Sequence, residues 1–266
     1  MLDRFNRKVN YLRISVTDRC NLRCLYCVTS DNIKQLPKQD ILSFEEICEV
    51  VKISVSLGID KIRLTGGEPL VRHDIVKLTG MISNIAKVKD LSLTTNGILL
   101  EQFAQPLADA GLHRVNVSLD TVNPEKFRHL TRGGDIRKVF AGIGAAKNYG
   151  LTPIKINCVV NDNSDEPDAL EVKEYCRQNG LQVRFIKQMS LQEGDFSIVE
   201  GGEGGNCEKC NRIRLTCDGK IKPCLFSDIE FDVKKIGIKE AFEKAVEAKP
   251  ECGTQNHVNM FNNIGG

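Results

Sequence analysis

Two groups of closely spaced cysteines are the residues in this sequence best suited to do chemistry. The first group lies in CNLRCLYC, with the spacing C-x3-C-x2-C, and the second has the spacing C-x2-C-x13-C in CEKCNRIRLTCDGKIKPC. The six residues are Cys20, Cys24, Cys27, Cys207, Cys210 and Cys224. The first residues lack the pattern of a secretory signal and no apolar run is long enough to span a membrane, so we expect a reducing, cytoplasmic compartment. Clustered thiols in such a compartment are typical of metal sites rather than disulfides.

Zinc and an iron–sulfur cluster are the two metal groups that these cysteines could hold. A structural zinc site needs four protein ligands, and neither group has an obvious fourth, because the four histidines are scattered along the chain. Three thiolates around a [4Fe–4S] cube would instead leave one iron open to a small molecule. We therefore favour an iron–sulfur cluster over zinc for the first group. The other five cysteines are expected to be packing residues: Cys48, Cys158, Cys176, Cys217 and Cys252.

The hydrophobic pattern predicts alternating strands and helices from residue 11 to residue 190. Strands are predicted at residues 11–16, 60–67, 90–97, 113–120, 152–160 and 181–190, and helical segments at residues 43–58, 73–88, 98–111, 123–130, 136–150 and 166–180. Strands separated by helices of this length form right-handed crossovers and a parallel sheet. Six such units are two short of a closed eight-fold barrel, so the predicted fold class is α/β, a partial (β/α)6 barrel with a C-terminal extension. An open doubly wound sheet is the structural alternative.

The pattern changes after Met189. Residues 190–206, SLQEGDFSIVEGGEGGN, are rich in glycine and acids and are predicted to be a connector. Beyond it we predict a β-hairpin with a two-residue turn at Asp218-Gly219 and one helix over residues 238–249. The chain therefore divides into residues 1–190, the partial barrel, and residues 191–266, which carry the second cysteine group.

Seven basic residues are predicted to point into one cavity. Residues two apart in a strand face the same side, and helices cover the outer face of a barrel strand, so cations within these strands are expected in the lumen. The set is Arg13, Lys61, Arg63, Lys155, Arg184, Arg212 and Arg214. Desolvated cations that share a cavity repel one another, and a polyanion such as a triphosphate would neutralise them. Some of them could instead pair with Glu68 or Asp120, or reach the rim.

The motifs together resemble a known family. CNLRCLYC is similar to the cluster-binding signature of the radical S-adenosylmethionine (SAM) superfamily, and TGGEPL at residues 65–70 is similar to its motif for the SAM amino group. Further stretches extend the resemblance to the GTP 3′,8-cyclases of molybdenum cofactor biosynthesis, with one interruption. They are LRISVTDRCNLRCLYC, KIRLTGGEPLVR, LTTNG, VNVSLDT, CEKCNRIRLTCDGKIKPCLF and a terminal IGG.

The resemblance implies a radical lyase with two [4Fe–4S] clusters and SAM as cofactors. In that family GTP is converted to (8S)-3′,8-cyclo-7,8-dihydroguanosine 5′-triphosphate through a 5′-deoxyadenosyl radical, as the first step of molybdenum cofactor biosynthesis. The first cysteine group would hold the cluster whose open iron binds SAM, and the second group a cluster whose open iron binds the guanine edge. The task of the protein is then positioning and the exclusion of water, because the radical chemistry belongs to the cofactor.

Carried over position by position, the resemblance also implies the ligand contacts. SAM contacts are expected at Tyr26, Gly66, Gly67, Glu68, Asn96, Ser118 and Met189. GTP contacts are expected at Thr94 and the seven cations, of which the predicted catalytic residues are Arg13, Arg63, Arg212 and Arg214. The glycine pair after the second strand could instead make a turn, and the acid after it could be a helix N-terminal residue. The resemblance places the terminal Gly265 and Gly266 in the active site, whereas a frayed end is the default from sequence alone.

The implied partners are GTP, an external one-electron reductant and the downstream cyclic pyranopterin monophosphate synthase. The chain could also form a homodimer. A balance of 37 basic and 35 acidic residues gives no reason to expect a nucleic-acid or membrane partner.

Two features depart from the family pattern. The span between Met189 and Cys207 is several dozen residues shorter than usual, and Lys187 stands where an acid is typical. A different radical SAM enzyme with an auxiliary cluster, acting on another nucleotide or a peptide, is therefore an alternative. A two-zinc structural or nucleic-acid-binding module is an alternative of another class, but it leaves TGGEPL and the partial barrel unexplained.

Overall fold

The computed structural model describes residues 1–27 and 35–264, which form one mixed sheet with helices packed on it. The strands are β1 (Tyr11–Ser15), β2 (Lys61–Thr65), β3 (Asp90–Thr95), β4 (Arg114–Ser118), β5 (Lys155–Val160), β6 (Gln182–Lys187), β7 (Arg212–Leu215), β8 (Lys220–Lys222) and β9 (Phe231–Asp232). The helices are α1 (Phe44–Ser56), α2 (Ile75–Ser83), α3 (Leu100–Asp109), α4 (Pro124–Leu130), α5 (Ile136–Asn148), α6 (Pro167–Asn179), α7 (Val233–Ile236), α8 (Ile238–Glu247) and α9 (Phe261–Ile264). The prediction that Gly265 and Gly266 enter the active site lies outside the described residues.

The strand order identifies the architecture. The strands lie side by side as β6-β5-β4-β3-β2-β1-β7-β8-β9. In the run that begins at β6, passes through β1 and ends at β7, every neighbouring pair is parallel. Strands β1 to β6 are therefore neighbours in chain order, as in a barrel, whereas a doubly wound sheet reverses its order at a switch point. The predicted partial (β/α)6 barrel is confirmed, and the doubly wound alternative is excluded.

The segment after the connector adds strands to the same sheet. β7 pairs in parallel with β1, with Arg214 opposite Arg13, and β8 and β9 follow as antiparallel strands. The division of the chain at residue 190 stays a prediction, and the two parts share one sheet.

The predicted hairpin is present, but its turn is longer than two residues. Residues 216–219 join β7 to β8. The Thr216 hydroxyl accepts a hydrogen bond from the Lys220 amide (2.9 Å), and Gly219 has a φ of +96°. The threonine side chain thus closes a four-residue loop that the Asp-Gly signal alone does not indicate.

Local signals account for the helix boundaries. The Ser43 hydroxyl accepts from the Glu46 amide (3.1 Å) and the Glu46 carboxylate accepts from the Ser43 amide (2.7 Å), which is the predicted capping box of α1. α2 is shorter than the predicted residues 73–88, because Asp74 and Lys87 have left-handed backbone (φ of 58° and 73°) that a right-handed helix cannot contain.

The sheet has an apolar outer face and a polar inner face. The outward side chains of β1, β2 and β7 are aliphatic and fully buried: Leu12, Ile14, Ile62, Leu64, Ile213 and Leu215. Alternation along each strand places the polar residues between them on the inner face. Among the described residues, no helix combines the length and the apolar character that crossing a membrane requires.

Candidate active site

The seven cations predicted from the strand pattern line one cavity of about 510 Å³. Arg13, Arg63 and Arg214 occupy matching positions of β1, β2 and β7, so they form a row across three neighbouring strands. The three cysteines of the second group line the same cavity. The structure therefore brings the cations together with one of the two cysteine groups.

Burial and mutual repulsion disfavour the charged forms of these cations. Burial lowers the pKa of Arg13, and Arg214 lowers it further. Burial also lowers the pKa of Arg63 and of Lys155. The pKa of Arg214 falls to about 10, first through burial and then through Arg212. An anion in the cavity would oppose these shifts, because a nearby opposite charge favours the charged form.

The carboxylates considered as partners for the cations are engaged elsewhere. Glu68 and Asp120 accept hydrogen bonds from hydroxyl and amide groups. Across residues 1–27 and 35–264, five of the cations have no carboxylate within ion-pair distance. They are Lys61, Arg63, Lys155, Arg184 and Arg212.

Arg114 also lines the cavity and was missed by the sequence reasoning. Its guanidinium forms a bidentate ion pair with Asp90, in which Nε lies 3.0 Å from Oδ1. The same alternation along the strand that identified the other cations could have found it. Because its charge is paired, Arg114 adds less to the demand for an anion than the five cations above.

Two buried hydroxyl groups near the cations have no hydrogen-bond partner within the described ranges: those of Tyr11 and Thr94. The Tyr11 ring lines the cavity and lies 5.4 Å from the Arg63 guanidinium. Thr94, a predicted GTP contact, is level with Asn116 on β4. When the oxygen and nitrogen of the Asn116 side-chain amide exchange places, the oxygen accepts hydrogen bonds from Arg63 (3.0 Å) and Arg184 (3.2 Å). A buried hydroxyl without a partner costs about 1–3 kcal/mol, so these groups favour a polar ligand.

The first cysteine group lies on the loop after β1, at the carboxyl ends of the barrel strands. Backbone hydrogen bonds join this loop to the end of α4. The Asn96 side-chain amide donates to Asn21 Oδ1 (2.8 Å) and lies 3.8 Å from Cys20 Sγ. Asn96, a predicted SAM contact directly after β3, thus holds the cysteine loop in position.

The three thiols of this loop are partly buried. Burial raises the pKa of Cys24 to about 12 and that of Cys27 to about 11, and it also raises the pKa of Cys20. Thiolates here need a positive charge, which bound iron ions would supply. Three sulfur donors on one short loop fit a [4Fe–4S] cluster with one open iron. In the part of the chain that the structure describes, no three or more His, Cys, Asp or Glu side chains converge on a single metal ion, whereas a cluster distributes its thiolates over separate irons.

Gly66 and Gly67 allow the loop after β2 to approach the cysteine loop closely. The Gly67 amide donates to the Thr17 carbonyl and the Glu68 amide to the Arg19 carbonyl, both at 2.8 Å. A Cβ on Gly66 would lie 2.5 Å from the Thr17 carbonyl oxygen, and a Cβ on Gly67 would overlap the Arg19 carbonyl. This packing requires glycine at both positions, and their contact with SAM stays a prediction.

Glu68 is buried and links two loops of the site. It caps the 3-10 turn Pro69–Val71 by accepting from the Leu70 amide (3.0 Å), and it also accepts from the Thr95 hydroxyl (2.8 Å) and the Asn96 amide (2.7 Å). Burial raises its pKa to about 7 in spite of these hydrogen bonds. Glu68 therefore has the role of a helix N-terminal acid, which was the alternative to a SAM contact. Its contact with SAM stays a prediction.

A second cavity, of about 280 Å³, lies beside the first cysteine group. Tyr26, Cys27 and Met189 line it, and Met189 also lines the larger cavity. The Tyr26 hydroxyl donates to Asp120 (2.7 Å), a carboxyl group whose pKa is raised by burial. Ser118 ends β4, two residues before Asp120. Two of these predicted SAM contacts, Tyr26 and Met189, therefore border the space next to Cys27, and the contact of Ser118 with SAM stays a prediction.

The second cysteine group lies in a basic environment. Burial raises the pKa of Cys210, but Lys249 and Arg212 together outweigh it, and the pKa falls to about 7. Lys249 is 1% exposed, and its ammonium donates to the carbonyls of Arg212 and Pro223 (2.7 Å each). This cationic setting favours the thiolate form of Cys210, the form that can ligate a metal, whereas burial raises the pKa of Cys224.

Cys252 is not the packing residue that the sequence predicts. It is exposed, and its Sγ lies 3.3 Å from Cys207 Sγ. The expectation that the second group has no obvious fourth ligand stays a prediction, although a further thiol lies beside Cys207. Cys252 follows the group at no regular spacing, so the sequence contains no signal for this contact.

The short connector forms one wall of the larger cavity. Phe196, Val199 and Glu203 line the cavity, and the Phe196 ring stacks on Phe226 with 4.4 Å between centroids. Gly201 lies so close to β6 that a Cβ there would be 2.6 Å from the Val183 carbonyl oxygen. The connector thus reaches the cavity by close backbone packing.

Family comparisons agree with this arrangement. The profile of the radical SAM superfamily matches residues 14–176, and that of the molybdenum cofactor synthesis C family matches residues 171–251. A three-cysteine loop after the first strand of a partial barrel, together with this match, defines the class of protein as a radical SAM enzyme.

Curated relatives narrow the class. The chain is 39% identical to the GTP 3′,8-cyclase of Thermodesulfovibrio yellowstonii over 100% of both chains. It is 41% identical to that of Peptoclostridium acidaminophilum over 100% of this chain and 98% of the relative. The chain belongs to the GTP 3′,8-cyclase family. The alignment with the first relative extends over 323 positions, against 266 residues here, so the relative contains residues without a counterpart in this chain.

Solved structures show the same fold at low identity. Streptococcus suis SuiB bound to precursor peptide SuiA superposes with a TM-score of 0.67 at 15% identity, over 88% of this chain and 64% of that one. anSMEcpe with bound AdoMet gives a TM-score of 0.64 at 18% identity, over 91% of this chain and 78% of that one. At this identity the likeness concerns the fold alone.

Proposed function

We propose that this protein is a GTP 3′,8-cyclase, a lyase that converts GTP to (8S)-3′,8-cyclo-7,8-dihydroguanosine 5′-triphosphate at the start of molybdenum cofactor biosynthesis. The names of its relatives support the substrate. One observation carries the proposal: the cation-lined cavity also borders the second cysteine group, and it shares Met189 with the cavity beside Cys27.

The cations suit the triphosphate of the substrate. Planar guanidinium groups bind phosphate oxygens in pairs, so a triphosphate can engage several of these side chains at once. It would also relieve the repulsion between cations that have no carboxylate partner in the described ranges. Arg212 would bind the nucleotide where the cations of the cavity meet the second cysteine group, since its Nη2 lies 3.8 Å from Cys210 Sγ.

The base of the nucleotide would extend toward the second cysteine group, because those cysteines line the same cavity as the cations. We propose that this group, Cys207, Cys210 and Cys224, holds a second [4Fe–4S] cluster. The basic environment created by Lys249 and Arg212 supports thiolate ligands there.

The first cysteine group and SAM, when bound, supply the radical that abstracts a hydrogen atom from GTP. The chain's own contribution is to hold the two ligands next to each other and to exclude water. Tyr26 and Met189 would border SAM, while Asn96 and Glu68 keep the cysteine loop in place. Met189 would lie between SAM and GTP.

The reaction needs partners beyond the chain. An external one-electron reductant would supply electrons, and the product would pass to a cyclic pyranopterin monophosphate synthase. We further propose a cytoplasmic location. Size measurement in solution tests whether the chain forms a homodimer.

An anaerobic turnover experiment tests this function. The protein is reconstituted with iron and sulfide, and the expected content is about eight irons per chain, four in each cluster. It is then incubated with SAM and dithionite, with and without GTP. We expect 5′-deoxyadenosine and a nucleotide of the same mass as GTP but different retention, both dependent on GTP.

The shortened chain keeps one alternative open, a radical SAM enzyme acting on another nucleotide or a peptide. In that case SAM would be cleaved while GTP stays unchanged. Zinc in place of iron would contradict radical chemistry altogether.

A further inference from the structure

A fourth thiol, that of Cys252, lies beside the second cysteine group. Its Sγ is 3.3 Å from Cys207 Sγ, although the two residues are 45 positions apart in the chain. The next residue, Gly253, packs against another member of the group: a Cβ there would lie 3.2 Å from Cys224 Sγ. Cys252 therefore contacts one of the three cysteines, and the residue that follows it contacts a second.

A buried arginine holds Cys252 near its neighbour. Nη1 of Arg7 donates to the carbonyls of Cys207 (2.7 Å) and Glu251 (2.8 Å), and Nη2 donates to the Pro250 carbonyl (2.6 Å). Asp3 pairs with Nε of the same guanidinium (2.6 Å). One side chain thus joins the backbone at Cys207 to the two residues that precede Cys252.

The segment around Cys252 is also attached to the loop after β8. The Lys249 ammonium donates to the Pro223 carbonyl (2.7 Å), and the Thr254 amide donates to the Phe226 carbonyl (2.9 Å). Contacts on both sides of Cys252 therefore fix its backbone, while its side chain remains exposed. Thiolates on different irons of a [4Fe–4S] cube lie farther apart than these two sulfur atoms, so ligation requires the Cys252 side chain to turn away from Cys207. Because the side chain is exposed, another rotamer is open to it.

We propose that Cys252 is the fourth ligand of the second [4Fe–4S] cluster when no nucleotide is bound, and that GTP displaces it. This inference rests on the proposed function. A fourth thiolate converts an open site into a closed one, which protects the iron from solvent and stray ligands until the substrate arrives. The exchange transfers no electron: one Fe–S bond breaks, the nucleotide binds the same iron, and the released thiolate takes a proton from solvent.

The test isolates the second cluster. The triple variant Cys20→Ala/Cys24→Ala/Cys27→Ala removes the first cluster, so that all bound iron reports on the second. In this background, Cys252→Ala is compared with the unchanged residue and with the control Cys48→Ala, which alters a buried cysteine of α1. The measurements are ⁵⁷Fe Mössbauer spectra and titrations with GTP.

Without GTP, Cys252→Ala should change the signal of one iron in four, and with saturating GTP the spectra should coincide. If the thiolate holds the iron in about nine of ten molecules, its removal should tighten GTP binding about tenfold. Cys48→Ala should change neither quantity.

A second measurement uses the protein with all its cysteines. In the reconstituted protein, alkylation of Cys252 by iodoacetamide should be slow without GTP and about tenfold faster with it, as measured by peptide mass spectrometry. Equal spectra and equal labelling rates, with GTP binding intact, would overturn this inference and leave the proposed function standing. Zinc in place of iron at the second group would overturn both the inference and the proposed second cluster.

Discussion

Replacing Arg63 by methionine should stabilise the nucleotide-free protein and weaken GTP binding at the same time. Arg63 is 5% exposed and stands opposite Arg13 on the neighbouring strand. Most buried arginines are held by a carboxylate, and their removal destabilises the fold. Arg63 has none in the described ranges, so its buried charge costs free energy until an anion binds.

The size of the effect follows from the geometry. Burial, Arg114 and Arg184 all lower the pKa of Arg63. Two like charges about 5 Å apart repel by about 3 kcal/mol at an effective dielectric constant of about 20. The substitution also loses the hydrogen bonds from Nε to Ser92 (3.1 Å) and from Nη1 to Asn116 (3.0 Å), which together contribute about 2 kcal/mol. We expect a net gain of about 1 kcal/mol in the free energy of unfolding, or about 2–4 °C in Tm.

GTP binding should change in the opposite direction. A charged hydrogen bond to phosphate contributes about 1.5–3 kcal/mol, so the Kd for GTP should rise about 10- to 100-fold. Calorimetric melting and titration under anaerobic conditions measure both quantities. Arg177→Met, on the exposed face of α6, is the control and should alter neither. A lower Tm without nucleotide, together with unchanged GTP affinity, would refute the assignment of Arg63 to phosphate binding.

Three further substitutions test other parts of the site. Cys24→Ala should lose about four irons per chain and all SAM cleavage, because the first cluster needs three thiolates; iron analysis and 5′-deoxyadenosine measurement check this. Tyr11→Phe should raise the Tm of the nucleotide-free protein, by about 1–3 kcal/mol in the free energy of unfolding, because it removes a buried hydroxyl that has no partner in the described ranges; it should weaken GTP binding about tenfold if that hydroxyl donates to phosphate. Glu68→Gln should flatten the pH dependence of Tm. Folding raises the pKa of Glu68 from 4.5 to about 7, so its stabilising contribution is full below about pH 4.5 and is lost as the pH rises to about 7, by about 3 kcal/mol.

Each of these substitutions has a matched control. Cys176→Ala removes a buried thiol of α6 and should keep all the iron, whereas equal loss would indicate general unfolding. Tyr149→Phe changes an exposed tyrosine and should not affect GTP binding. Glu171→Gln changes an acid on the surface of α6 and should leave the pH profile as it is. A Glu68→Gln profile as steep as that of the unchanged protein would contradict the raised pKa.

The barrel and its cations could be predicted because they depend on local patterns. Alternation by two residues identified Arg63 and Arg214 as inward-facing, and the strand register aligns both with Arg13. The pairing of β7 with β1 could not be predicted, since it joins segments about 200 residues apart and no local signal specifies a strand's neighbour.

The features that were missed depend on tertiary contacts. Cys252 comes next to Cys207 through the hydrogen bonds of Arg7, and neither Cys252 nor Arg7 lies in a recognisable motif. The close approach of Gly67 to the Arg19 carbonyl likewise needs two loops that the sequence does not relate. Spacing predicts chemistry within one segment, whereas these contacts arise where separate segments pack.

Transfer of a labelled hydrogen tests the central claim most directly. The reconstituted protein is incubated with SAM, dithionite and GTP that carries deuterium at the 3′ carbon, and the 5′-deoxyadenosine is analysed by mass spectrometry. The account predicts that the deuterium appears in 5′-deoxyadenosine, because the cavities proposed for GTP and for SAM meet at Met189, which lines both. Unlabelled 5′-deoxyadenosine, formed equally fast with and without GTP, would contradict it.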